Sequence, residues 1–87
     1  MGSRTLQEER NDWEPRKNQT LVTHFELPHT NAHISVLVES GLDENKQGPV
    51  MYYDMIRYFQ IRNEWFASCD VKSGSAEDVF RKIGEIV

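Results

Sequence analysis

After Pro49 the apolar residues change their spacing twice within about forty positions, and this change of period constrains the fold more than any other feature of the chain. Met51, Tyr52, Met55, Ile56 and Phe59 recur as one face of a helix, with Asp54, Arg57 and Gln60 opposite. That spacing predicts an amphipathic helix over about 49–61, opened by Pro49, with a strand as the alternative because aromatic residues are plentiful. Glu64 to Val71 then reads as a strand. Trp65, Ala67, Cys69 and Val71 lie on one side, the expected core side, and Phe66, Ser68 and Asp70 on the other. Lys72-Ser73-Gly74 makes a turn. Ser75 stands at N-cap to N3 spacing from Asp78, and Val79, Phe80, Ile83, Ile86 and Val87 form the stripe of a final helix. Gly84 weakens that helix by about 1 kcal/mol relative to alanine unless it permits close packing.

The first half predicts β structure. Thr20 to Leu27 is rich in β-branched and aromatic residues and stops at Pro28, with Leu21, Thr23, Phe25 and Leu27 on one face. Thr30 to Ser40 alternates Ile34, Val36 and Val38 with Ser35, Leu37 and Glu39. Its β-branched density favours a strand, paired with the first through a turn at Pro28 to Asn31. A short helix capped by Thr30 or Asn31 is the alternative. Gly41 to Gly48 is a polar surface linker.

Residues 1–18 carry four basic and four acidic side chains, with only Leu6 and Trp13 able to pack substantially, and are expected to form a flexible arm. The folded unit is then a single domain over 19–87. The expected fold is a small α+β domain: a short, mainly antiparallel sheet with one face covered by two amphipathic helices.

Because the arm is charge-balanced, the formal net charge of −4 falls on the folded part, which has no cluster of Lys or Arg. Nucleic-acid binding is not expected of such a surface. No run of about 18 apolar residues marks a membrane span and no signal-peptide pattern is seen. The single cysteine, Cys69, cannot pair within the chain, so a reducing, cytoplasmic setting is expected.

Catalytic vocabulary is sparse. Asp43, Glu44, Asp70 and Glu77 are spread over loops and a helix start, nothing pairs them as acid and base, and Cys69 is expected to be a buried thiol. Neither GxxxxGK[ST] nor GxGxxG occurs. No enzyme activity and no cofactor are expected. His24, His29 and His33 fall within ten residues, so a ligand- or metal-responsive domain built on them is the second functional reading. No metal ligand is assigned. Asn18-Gln19-Thr20 matches the glycosylation sequon, a pattern common by chance.

Pro49-Val50 with Tyr52-Tyr53, then Gly74-Ser75, Glu77 and Val79-Phe80, resembles the C-terminal segment of nucleoside monophosphate kinases, over less than half the chain. The resemblance implies a helix, a strand and a final helix closing an α/β core. It implies no kinase activity, since the P-loop and lid arginines of that family are missing here.

The remaining signal is a surplus of residue types found at interfaces. Tyr52, Tyr53, Met55, Tyr58, Trp65 and Phe66 exceed what one small core face must bury, although the same six could equally build that core. The first functional reading is a non-catalytic protein–protein interaction or oligomerisation module, such as a regulatory domain of a larger protein. Tyr52, Tyr53, Tyr58, Trp65 and Phe66 are its candidate partner-binding residues. An exposed sheet edge at Thr20 to Leu27 offers a second route, through a partner strand or a second copy.

Overall fold

Four strands pair in chain order, each antiparallel to the next, so that the sheet is an uncrossed meander β1-β2-β3-β4. The computed structural model describes residues 4–28, 32–42 and 48–86. Its elements are α1 (Leu6–Asp12), β1 (Gln19–Leu27), β2 (Ala32–Leu42), β3 (Pro49–Ile61), β4 (Glu64–Gly74) and α2 (Ala76–Ile86). The α+β class and the antiparallel sheet agree with the sequence. The molecule is flat and elongated, 50 × 28 × 16 Å, because the β2–β3 pair extends past both outer strands at one end.

The expected helix over 49–61 is instead the central strand β3. Hydrogen-bonded on both sides, it is also covered on both faces. Met55 is buried on one face, and Ile56 and Tyr58 are buried on the other. A strand buried twice carries a nearly continuous apolar run, and such a run satisfies the i, i+3, i+4 template by accident. The α/β arrangement implied by the kinase resemblance falls with that helix.

On the first face Leu27, Ala32, Ile34, Val36 and Met55 form the core, closed by Val79 of α2, with Phe25, Tyr53, Val71, Ile83 and Ile86 packed around them. Ser75 starts α2 as the sequence predicts. Its hydroxyl accepts from the Asp78 N–H at 3.2 Å, while the Asp78 carboxylate accepts from the Ser75 N–H at 3.2 Å.

The second face carries His24, His33, Ser35, Leu37, Ile56, Tyr58, Trp65, Ala67 and Cys69, as the register requires. Segments from α1 and the residues after it lie over this side, where Gln7, Arg10 and Trp13 border a cleft whose floor includes Ser35, Leu37 and Tyr58. The helices therefore sit on opposite faces rather than together on one.

Helix α1 lies within the segment 1–18 that the sequence assigns to a flexible arm. Thr5 and Glu8 close a reciprocal capping box, Arg4 ion-pairs with Glu9 and Asp12, and the Trp65 N–H donates to the Arg4 carbonyl at 3.0 Å. A T-x-x-E cap with acidic residues in the first turn can start even a short, polar helix when tertiary contacts hold it.

Irregularities in the outer strands redirect side chains. In β1 the register slips between Leu21 and Thr23, leaving Val22 as an extra residue. Leu21 thereby pairs with Leu37 on the second face, whereas Thr23, Phe25 and Leu27 stay on the first. In β4, Cys69 opposes Ile56 but Val71 opposes Met55, so Asp70 is the extra residue and Val71 crosses to the α2 side. The predicted Trp65, Ala67, Cys69 and Val71 face therefore holds only as far as Cys69.

Candidate functional site

β1 forms one edge of the sheet, and among the described residues no strand pairs with its outer side. It spans nine residues, Gln19–Leu27. Glu26 is its only formally charged residue, and it contains neither Lys nor Pro, the residues that ordinarily protect an edge from added strands. Leu21 and Val22 expose 41% and 52% of their surface. The bulge at Val22 divides the edge and limits any added strand to a short segment. At the opposite edge, β4 already donates its Trp65 N–H to Arg4 and carries Lys72.

The candidate partner-binding residues separate by depth. Tyr58 is 1% exposed, which removes it from any contact surface in this structure. Its hydroxyl is hydrogen-bonded to Ser35, itself buried. His24 Nδ1 lies 2.8 Å from the same Ser35 hydroxyl. Burial raises the Tyr58 pKa above that of a free tyrosine, and the hydrogen bond from Ser35 opposes the rise. Tyr53 packs against the α2-side core. Tyr52, half-buried, lies against Gly41 on the other face. Trp65 is half-buried and meets the His33 ring edge-on, with centroids 5.4 Å apart.

Only Phe66 of the five is exposed, at 39%, stacked on Phe59 with centroids 6.0 Å apart. Ile61, next on the same face of β3, is 52% exposed. Together they form an apolar patch near the β3–β4 turn. A cleft of about 590 Å³ adjoins it, lined by Ala32, Arg57, Phe59, Lys82, Glu85 and Ile86. Arg57 holds Asp70 in an ion pair at 3.1 Å, with Nε not aligned for a hydrogen bond, and sits 5.9 Å from the Phe59 ring centre.

Of the histidine trio, His29 lies outside the described residues. His24 and His33 are stacked, with centroids 5.5 Å apart and planes inclined by 25°. Nearly parallel rings do not aim their in-plane lone pairs at a common point, as a shared zinc ion would need. Among the described residues no group of three His, Cys, Asp or Glu side chains is arranged to hold a metal. The His24 pKa is lowered by desolvation, by Arg10 and by His33, in that order.

Cys69 is half-buried, and its thiol contacts the Val71 carbonyl at 3.2 Å across the bulge. Burial and the nearby carboxylates of Asp54 and Asp70 raise its pKa, with Lys72 opposing them, which disfavours the reactive thiolate. No described helix is long and apolar enough to cross a membrane. Leu21 and Val22 fall within the Thr20 to Leu27 edge that the sequence offers as a second route, whereas the buried Ser35 is not among the sequence-based site residues. Ser35 was marked by a hydroxyl in the middle of an otherwise apolar run.

No family model, no curated protein and no solved structure matches this chain.

Proposed function

We propose that this chain is a non-catalytic protein–protein interaction module that engages its partner, a second copy or another protein, by extending the sheet at β1. The observation that carries the reading is the open β1 edge, with Leu21 and Val22 exposed and no Lys or Pro to protect it. An added strand would gain main-chain hydrogen bonds there, and the exposed side chains would supply selectivity. The Val22 bulge favours one short partner segment over indefinite stacking. The Ile61 and Phe66 patch offers a second surface for the same class of function, since it exposes apolar side chains that the core has not absorbed.

Light scattering coupled to size exclusion, over a hundredfold concentration range, separates self-association from a foreign partner. A photo-crosslinking residue placed at position 22 tests the surface, with one at exposed position 77 as control. A discrete adduct at 22, abolished by a nearby Leu21→Lys change, is the expected result. A monomer at all concentrations, with no position-22 adduct above the position-77 background either alone or in cell extract, rules out the β1 route.

A further inference from the structure

Helix α1 is attached lightly over a group of side chains that respond to protons. No residue of α1 is buried. Beneath it Ser35 and Tyr58 are buried, and His24 and His33 are half-buried. A cleft of about 430 Å³ separates Gln7, Arg10, Asn11 and Trp13 from Ser35 and Tyr58. The helix thus borders an open cleft along part of its length, while Ser35 and Tyr58 at the cleft floor stay shielded from solvent.

We propose that α1 is a pH-gated strap: protonation of His24, stacked on His33, releases it from the sheet and opens the Ser35, Tyr58 and Trp65 surface. Each element facing His24 contributes to this balance. α1 brings Arg10, a fixed positive charge, together with Glu9, whose carboxylate is engaged by Arg4. β2 supplies His33, stacked on the ring, and Ser35, bonded to Nδ1. β3 contributes Tyr58, whose ring centre is 6.2 Å from that of His24. Within β1, Glu26 shares the face but sits opposite His33. β4 presents Trp65, which does not titrate, against His33.

A proton on His24 therefore enters a half-buried site beside one fixed cation, Arg10, and against the stacked ring of His33. Undocking α1 removes Arg10 and readmits water, so the undocked state binds the proton more tightly than the docked one. Desolvation and Arg10, the first two causes of the lowered His24 pKa, are both relieved by that motion. The sign follows from linkage. Docking is fully favoured above the ordinary histidine value of about 6.5 and weakens as pH falls below it.

The test is hydrogen exchange on the full chain at pH 7.5 and 5.5, corrected for intrinsic rates and referenced to the β2 amides. Exchange in 6–12 and at the Trp65 amide should increase at least about threefold at the lower pH, with β2 unchanged. His24→Gln, which keeps a hydrogen-bonding group at that position, should flatten the response. Should that variant lose β2 protection, Arg10→Gln gives an independent reading, because removing the fixed charge should shrink the ratio between the two pH values. An α1 response that matches β2, or one that persists undiminished in the folded His24→Gln and Arg10→Gln proteins, overturns the proposal.

Discussion

The ring of Tyr52 fills the space over Gly41, so closely that a β-carbon at Gly41 would stand 2.5 Å from Tyr52 Cε2. An aromatic laid over a strand glycine protects backbone that has no side chain of its own. Gly41→Ala should push the ring aside and destabilise by about 1 kcal/mol. In a Tyr52→Ala background the same change should be neutral or stabilising, because only the entropy gain of alanine remains. Denaturant unfolding of the four proteins of this cycle checks the coupling, and additive effects would separate the two positions.

Gly84 has open space where a β-carbon would go, so no close packing compensates for its weakness inside α2. Gly84→Ala should raise stability by about 1 kcal/mol, read as a higher urea midpoint with an unchanged slope.

Arg62 and Asn63, the two residues that connect β3 to β4, have φ values of 51° and 66°. Two positive φ values are what a type I′ hairpin turn demands, and asparagine tolerates them better than most residues. Asn63→Val should cost about 1–2 kcal/mol in thermal or chemical unfolding, while Asn63→Gly should cost nothing or stabilise.

Removing the α2 cap with Ser75→Ala should cost about 1 kcal/mol. The Asp78 pKa is held below its ordinary value by the Ser75 amide and then by the Ser75 hydroxyl, so its contribution to stability is present above the unfolded carboxyl value near 3.8. That contribution is lost as pH falls through the folded value. An acid titration of unfolding should therefore show a weaker dependence below about pH 4 in Asp78→Asn than in the parent.

The Tyr58 hydroxyl shares Ser35 with His24 inside the second face. Tyr58→Phe should cost about 1 kcal/mol by removing a buried hydrogen bond while leaving the ring in place. Substitution at the exposed Phe66 should change stability much less, and a larger loss there would show that the patch belongs to the core.

How far the sequence discloses the fold depends on whether a segment has one wet face. β1 has one, and its alternating residues read correctly as a strand. The β-branched run of β2 also favoured a strand, though that run left a helix open. The capped α2 was legible from Ser75, Asp78 and the Val79, Ile83 and Ile86 stripe, but Phe80, read into the same stripe, is 70% exposed, and Val87 lies outside the described residues. β3 was not legible, because Met55 and Ile56 are buried on opposite faces and the alternation that distinguishes a strand disappears. Bulges leave no periodic signature of their own, so the transfers of Leu21 and Val71 between faces could not be anticipated. Two further local signals stand in the sequence: the Thr5-to-Glu8 spacing of a capping box and the asparagine of the β3–β4 turn. For the candidate site, residue type alone did not separate buried Tyr58 from exposed Phe66, since both are aromatic residues in strands. Both faces carry a helix, and the depth differs because Tyr58 pairs with His33 and Ala67 under the α1 side, whereas Phe66, on the α2 side, lies near the β3–β4 turn beyond the core closed by Val79.

In a meander each strand meets its partner as soon as the next segment is available, so pairing can follow the chain as it leaves the ribosome. The core cannot. Ile34, Val36 and Met55 have to wait for Val79, and so for the α2 segment, before their face is closed. A nascent chain stalled short of Ala76 would hold a paired sheet with its apolar side open, the state in which a chaperone would bind it or another unfinished copy would stick to it.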